Sequence, residues 1–354
     1  MHKINLKKYL SKILFLIIFS SLIFACNRKS NEYVIELDPQ YNVSTEELLK
    51  KIPIKYQTKA KTDLNKKVQN RMLNGFNRWN MGYDAWEHWG EVLYHKDSIY
   101  NVNGVRMTLK EYQNSQNAAI KKLDIKMGNF SNMILVDDWM AIRYDITTLD
   151  KEKGTTTNGT TMEFARFGDY GKLGAKVDEG FVGSRNDGYY GMLNFLNENE
   201  KEKQNIFIEN IAYTKLKDTT NLEEKYPIVY PTTIDSDKGN KMKNMILEYF
   251  EAWNNGYDTW SDFIKENYND NIMYDHRGIK CTKDNLHLVM KDLIDNEKTV
   301  RINNILISED WAAVHFWNSV NMKDDTKDAF NHMQFIHFIE DKNGKLKIDM
   351  CFAK

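Results

Sequence analysis

The stretch FNRWNMGYDAW (76–86) recurs as FEAWNNGYDTW (250–260), 174 residues further along the chain. No other feature constrains the fold as strongly. Extended without gaps, 76–108 against 250–282, the match keeps 11 of 33 positions identical: Phe76, Trp79, Asn80, Gly82, Tyr83, Asp84, Trp86, Tyr94, Tyr100, Gly104 and Thr108. A two-residue shift brings ILVDDWMAIRY (134–144) beside LISEDWAAVHF (306–316). One further residue of shift sets MEFARF (162–167) beside MQFIHF (333–338), and Gly171-Lys172-Leu173 answers Gly344-Lys345-Leu346. Order and spacing agree over roughly 110 residues, a period that means two whole domains rather than a solenoid.

Each copy predicts the same elements. Met72, Leu73, Phe76 and Trp79, like Ile246, Phe250 and Trp253, fall at helical spacing and predict an amphipathic helix. Gly82 and Gly256 stand where it ends on a left-handed residue, and Asp84 and Asp258 where a second helix begins and needs a cap. A short strand then leads to a turn at Gly104 or Gly278, with Thr108 or Thr282 capping a third helix. Alternating strands follow at 125–136, 139–149, 157–167 and 173–184, and again at 299–308, 311–321, 329–339 and 345–353. Helices followed by a meander of long strands make an α+β unit, with the antiparallel sheet curling around the helices.

The FxxWNxGYDxW helix-turn-helix, the strand-to-glycine turn YDHRG (274–278) and the DW hairpins at Trp139 and Trp311 resemble the nuclear-transport-factor-2-like superfamily, in its SnoaL-like branch. The resemblance covers about two thirds of the chain, once per copy. It implies two tandem cone-shaped domains, each with N-terminal helices packed in a curved antiparallel sheet around an open pocket. It also implies that the opening helices roof the pocket, and that outer sheet faces can pair. The expected organisation is a first domain at 61–184, a linker with a possible extra strand in NIFIENIAY at 185–240, and a second domain at 241–354.

The N-terminus differs from the rest. Lys3, Lys7, Lys8 and Lys12 precede the apolar run ILFLIIFSSLIFA, which ends in LIFAC. The run has signal-peptide length and is short for a transmembrane span. It resembles a bacterial lipoprotein signal at 1–25, with Cys26 lipidated as the mature N-terminus and 26–60 as a tether. The expected address is the cell envelope, lipid-anchored and facing periplasm or exterior. Without residues 1–25 the chain has 45 basic and 50 acidic residues, a net charge of −5. With no basic cluster, nucleic acid is not an expected partner. Cys281 and Cys351 can pair or remain free thiols, and no zinc spacing exists.

Candidate site residues come mainly from positions where the copies differ. Arg143 aligns with His315 and Arg166 with His337, all on predicted strands. Facing each other across the ladder, the arginines would clamp a carboxylate or phosphate, and the histidines would move protons near neutral pH. The competing expectation puts them on the outside of the sheet, because Met140, Ile142, Tyr144 and Ile146 form an apolar face opposite Arg143. Asp275 and His276 replace Asn101 and Val102, and with Tyr274 they lie where the resemblance places polar pocket residues. Trp79, Tyr83, Trp253 and Tyr257 are core residues by spacing and ligand-binding candidates by resemblance. Asp84 and Asp258 can serve as bases or simply as caps. His332 and His337 are five apart, point to opposite faces, and so share no metal ion.

The expected function is binding of a small, partly apolar or anionic molecule in one or both cones, without cofactor or metal. The alternatives are isomerase, cyclase or hydratase chemistry in the second domain by His276, Asp275, His315 and His337, and a non-catalytic interaction module. Domain–domain packing or a dimer is expected in the last case.

Overall fold

A computed structural model describes residues 43–102, 104–182, 195–276 and 278–354, apart from the side chains of Tyr83, Glu87 and His88. The signal segment, Cys26, residues 26–42 of the expected tether and 185–194 of the expected linker lie outside the described residues.

The first copy opens with α1 (Thr45–Lys51) and β1 (Tyr56–Gln57), then α2 (Asp63–Met81) and α3 (Tyr83–Leu93). Next come β2 (Tyr94–Val102), β3 (Val105–Thr108) and α4 (Leu109–Lys122). A meander closes it: β4 (Leu123–Val136), β5 (Trp139–Asp150), β6 (Thr155–Asp169) and β7 (Ala175–Val182). Helix α5 (Glu198–Ala212) lies between the copies. The second copy repeats the plan with α6 (Leu222–Lys225), α7 (Asp237–Asn254), α8 (Tyr257–Asn267), β8 (Tyr268–His276), β9 (Ile279–Cys281) and α9 (Lys283–Asn296). Its meander is β10 (Glu297–Ser308), β11 (Trp311–Asn321), β12 (Lys327–Glu340) and β13 (Leu346–Ala353). The two sheets run β1-β4-β5-β6-β7-β2-β3 and β10-β11-β12-β13-β8-β9. Each curls around its own helices, so the fold is α+β, two helix-and-sheet cones in tandem.

The repeated Trp-Asn pair ties helix to sheet. Trp79 Nε1 donates to Ile125 O (3.0 Å), while the Asn80 amide donates to Met127 O and accepts from Met127 N–H. Trp253 Nε1 donates to Glu297 O (3.0 Å), and Asn254 clasps Thr299 N–H and C=O in the same way. These bonds fix Ile125 as the counterpart of Glu297 and Met127 as that of Thr299. Gly82 and Gly256 follow at φ +116° and +101°, a region closed to side chains. They are also the N-caps of α3 and α8, so Asp84 and Asp258 are not the expected caps. Both stand one residue inside the helix, where a carboxylate favours the positive end of its dipole. Thr108 and Thr282 cap α4 and α9 as expected, each with a reciprocal capping box.

The two sheets pack outer face to outer face. Ile134, Ala141, Phe164 and Phe181 of the first share one apolar cluster with Leu306, Ala313, Phe335 and Phe352 of the second. Two segments expected as tether and linker complete this interface. Residues 52–58 (IPIKYQT) and 226–232 (YPIVYPT) extend the repeat upstream. Tyr56 pairs parallel to Asn132 on β4, while Val229 and Tyr230 donate to Ile302 and Asn303 carbonyls on β10. The residues after each arm reach the other copy's hairpin: Lys59 N–H donates to Glu309 (3.1 Å) and Thr233 N–H to Asp137 (2.7 Å).

The extra strand expected in 205–213 is instead part of α5. Its Ile208, Ile211 and Ala212 cover Val300, Trp317 and Ala329 on the outer face of the second sheet. The aligned positions of the first copy are Gly128, Asp145 and Asn158. There Asp145 and Asn158 are hydrogen-bonded to neighbouring polar side chains at the surface. The apolar face that Ile208, Ile211 and Ala212 share at helical spacing outweighs the strand preference of the isoleucines. Cys281 and Cys351 are buried free thiols, and burial pushes Cys351 up to about 12.

Candidate functional site: the second cone

The strand registers separate the residue pairs expected to face each other. Arg143 lies opposite Met162 and Arg166 opposite Trp139; His315 lies opposite Met333 and His337 opposite Trp311. None of the four points into a cone. Arg143 stacks over the Phe352 ring (4.4 Å), donates to Ser131 Oγ (2.8 Å) and stands 3.5 Å from Asp275. Asp275 also accepts from Gly278 N–H, so it serves the interface and the turn. Arg166 lies 3.8 Å from Glu179, whose carboxylate also accepts from Tyr230 and Asn101. His315 is enclosed between the sheets by Phe164, Phe181 and Asn303. Burial there, with the Arg301 charge, pulls its pKa down to about 3, so it is neutral at pH 7. His337 Nδ1 donates to Asp349 Oδ1 (2.6 Å) beside Trp311. The arginine clamp and the His315/His337 proton pair are therefore corrected. A polar residue on an outer face reads as pocket-facing in the sequence because the other copy buries that face.

The second cone does hold titratable groups, two expected and two not. His276 and Tyr274 line its cavity with Trp253, and they are joined there by Glu297, His332 and Asn318. Glu297 opens β10, and its side chain is carried inward beside the Trp253 clip. His332 Nε2 stands 3.6 Å from Glu297 Oε2, and both residues are 8% exposed. Asn318 Nδ2 donates to the same Glu297 oxygen (2.9 Å), and Thr299 Oγ1 donates to Asn318 Oδ1 (2.9 Å). The His332 ring stacks on Phe316 (5.3 Å, 19°), which fixes its plane. Tyr274 is fully enclosed, and burial raises its hydroxyl well above the usual tyrosine range. The space open to a water centre is about 20 Å³, enough for about one water, so a larger molecule enters this cone only by displacing lining side chains.

The sequence carried a signal for this cluster. Opposite parity from His337 places His332 on the inner face, and the aligned positions of the first copy are apolar or small. Ile125, Met127, Ile146 and Thr161 replace Glu297, Thr299, Asn318 and His332. The match between the copies slips by two residues near β10, which hid the comparison.

Trp79 lines the first cone's cavity, also about 20 Å³, and the side chain of Tyr83 lies outside the described residues. Tyr257 is held by His287 (3.0 Å) and Lys291 at the surface of the helices, away from the cavity lining. Among the described residues no three His, Cys, Asp or Glu side chains group closely enough to hold a metal ion.

No family model and no curated protein matches the chain. Solved structures do resemble it, each over one third of its length. A candidate SnoaL-like polyketide cyclase from a Jannaschia species is 10% identical, covering 34% of this chain and 90% of that one, with a TM-score of 0.30. An NTF2-like protein of unknown function from an Exiguobacterium species is 14% identical, with 32% and 95% covered and a TM-score of 0.27. A second NTF2-like protein of unknown function, from Pseudomonas putida, is 13% identical, with 34% and 89% covered and a TM-score of 0.27.

Proposed function

We propose that this is an exported, lipid-anchored protein that binds a small, largely apolar molecule bearing one hydrogen-bonding group, in the second cone. The observation that carries the reading is the buried Glu297–His332 pair, steadied by Asn318 and Thr299 inside a cavity whose other walls are mostly aromatic and aliphatic side chains, with Gln334 and His276. Small-molecule sites are mostly apolar with a few convergent polar groups, which is this arrangement. The lipoprotein-like LIFAC sequence at 22–26 supports the envelope address, and the net charge of −5 after residue 25 leaves the lipid as the membrane attachment.

The same pair favours one further reading, acid–base chemistry of the isomerase, cyclase or hydratase kind. A carboxylate that orients a neutral imidazole and stabilises the imidazolium formed from it makes a better proton acceptor, and His332 faces the cavity. In that reading His332 takes a proton from the bound molecule and returns it, Glu297 holds the imidazolium, and His276 on the same wall completes the polar set. An anionic ligand is disfavoured, because it would meet the Glu297 charge.

Native mass spectrometry of protein purified gently from its own source tests the binding reading. A stoichiometric small molecule, lost in Glu297→Gln and His332→Ala, is expected; retention in both variants overturns the assignment to this cone.

A further inference from the structure

The first cone buries a carboxylate of its own. Glu163 on the inner face of β6 is 3% exposed, and Tyr144 donates its hydroxyl to it. Around it stand Phe76, Trp79, Trp86, Tyr94 and Tyr100. Tyr94 and Tyr100 line the same cavity as Glu163, and burial raises both hydroxyls above the usual tyrosine range. Gln116 and Tyr112 extend the hydroxyl cluster. Gly180 makes the arrangement possible, since a Cβ there would sit 2.4 Å from the Tyr100 ring.

We propose that this first cone is a second ligand site, selective for a short primary alkylammonium compound, with Glu163 as its anionic anchor. A carboxylate at the base of an aromatic box attracts a cation twice, through its own charge and through the ring faces. The space beside Glu163, about 20 Å³, matches a water-sized group such as –NH3+ and not a quaternary ammonium or a carboxylate. A larger space of about 110 Å³ adjoins it and shares Trp79 and Trp86 as walls. Ile120, Leu123 and Ile125 line its apolar side, where the body of the same molecule would lie, and Gly82 and Asp124 complete it, with Asp124 3.6 Å from Lys126. Lys126 and Lys151 stand at its rim, but both are engaged with helix ends. Lys126 Nζ reaches Asn80 O (3.4 Å) at the end of α2, and Lys151 Nζ reaches Ile120 O (2.8 Å) at the end of α4. The second cone has Gln334 and Phe316 where the first has Glu163 and Tyr144, so this selectivity belongs to the first copy alone.

Titration calorimetry on the full-length chain in detergent micelles tests it with n-propylamine, 1-propanol and propionate at pH 7. Saturable binding of the amine is expected, at least tenfold tighter than the alcohol or the acid. Glu163→Gln weakens it at least tenfold and His332→Ala leaves it unchanged. Equal binding of amine and alcohol, survival of amine binding in Glu163→Gln, or no saturable amine binding would overturn the proposal. The amine–alcohol comparison needs no variant, so it decides the matter even where Glu163→Gln does not fold.

Discussion

Tyr56, in the arm that leads into the first copy, packs on Trp311 of the second, with ring centroids 4.9 Å apart. Its counterpart Tyr230 packs on Trp139 of the first at 5.2 Å. Each copy therefore reaches across to the other's first hairpin, and the duplicated halves are clasped by a reciprocal exchange about a pseudo-twofold relation. The outer sheet faces, which would otherwise expose a large apolar area, cover one another within a single chain.

This exchange predicts the cost of breaking it. Tyr56→Ala and Tyr230→Ala each remove an aromatic contact of the interface, and each should lower stability by about 1–3 kcal/mol. The two tyrosines share no ring partner, so the double variant should lose the sum within about 0.5 kcal/mol. Urea titrations of the three variants check this; a negligible loss in both singles would mean that the arms do not hold the copies together.

The Trp-Asn clips set a second expectation. Asn80→Ala strands the Met127 N–H and C=O, and Asn254→Ala strands those of Thr299. Each should cost about 1–3 kcal/mol, the usual price of buried unsatisfied groups. Thermal melts should show similar losses for both, because the two clips are geometrically alike.

Arg143 separates an interface role from a ligand role. Arg143→Ala leaves Asp275 half-buried without its cation and uncovers the Phe352 ring. The account expects a stability loss of about 1–3 kcal/mol, below that of a fully buried pair, with ligand occupancy unchanged. Occupancy that vanishes while stability holds would restore the clamp.

His315 predicts a pH dependence. Its pKa falls from 6.5 unfolded to about 3 in the fold. The unfolded chain thus takes up a proton between those values that the native state does not, and stability attributable to this residue is lost as pH falls from about 6.5 toward 3. The loss is about 1.4 kcal/mol per pH unit within that window. His315→Asn should flatten the acid side of the stability profile relative to wild type, measured by urea midpoint from pH 7 to pH 4. Parallel profiles would contradict the buried neutral state.

The duplication, both three-helix openings and all eight long strands were legible, because period and spacing report backbone geometry directly. The arms were not, although Pro53, Ile54, Tyr56 and Thr58 recur as Pro227, Ile228, Tyr230 and Thr232. Short segments paired to a sheet edge have too few residues to set a period of their own. The arginines and His315 were misplaced for another reason: period two tells which residues share a face, but not whether that face meets solvent, ligand or a second sheet. Glu297 and His332 come together across three strands, from β10 over β11 to β12, which no local pattern records.

The most direct test is native mass spectrometry of the protein from its own source, comparing wild type, the Glu297→Gln/His332→Ala variant and the Arg143→Ala/Arg166→Ala variant. The account predicts a bound small molecule in wild type and in the arginine variant, and its loss when the second cone's acid–base pair is removed. A molecule that stays bound without Glu297 and His332, or leaves with the arginines, would contradict the second cone as the functional site.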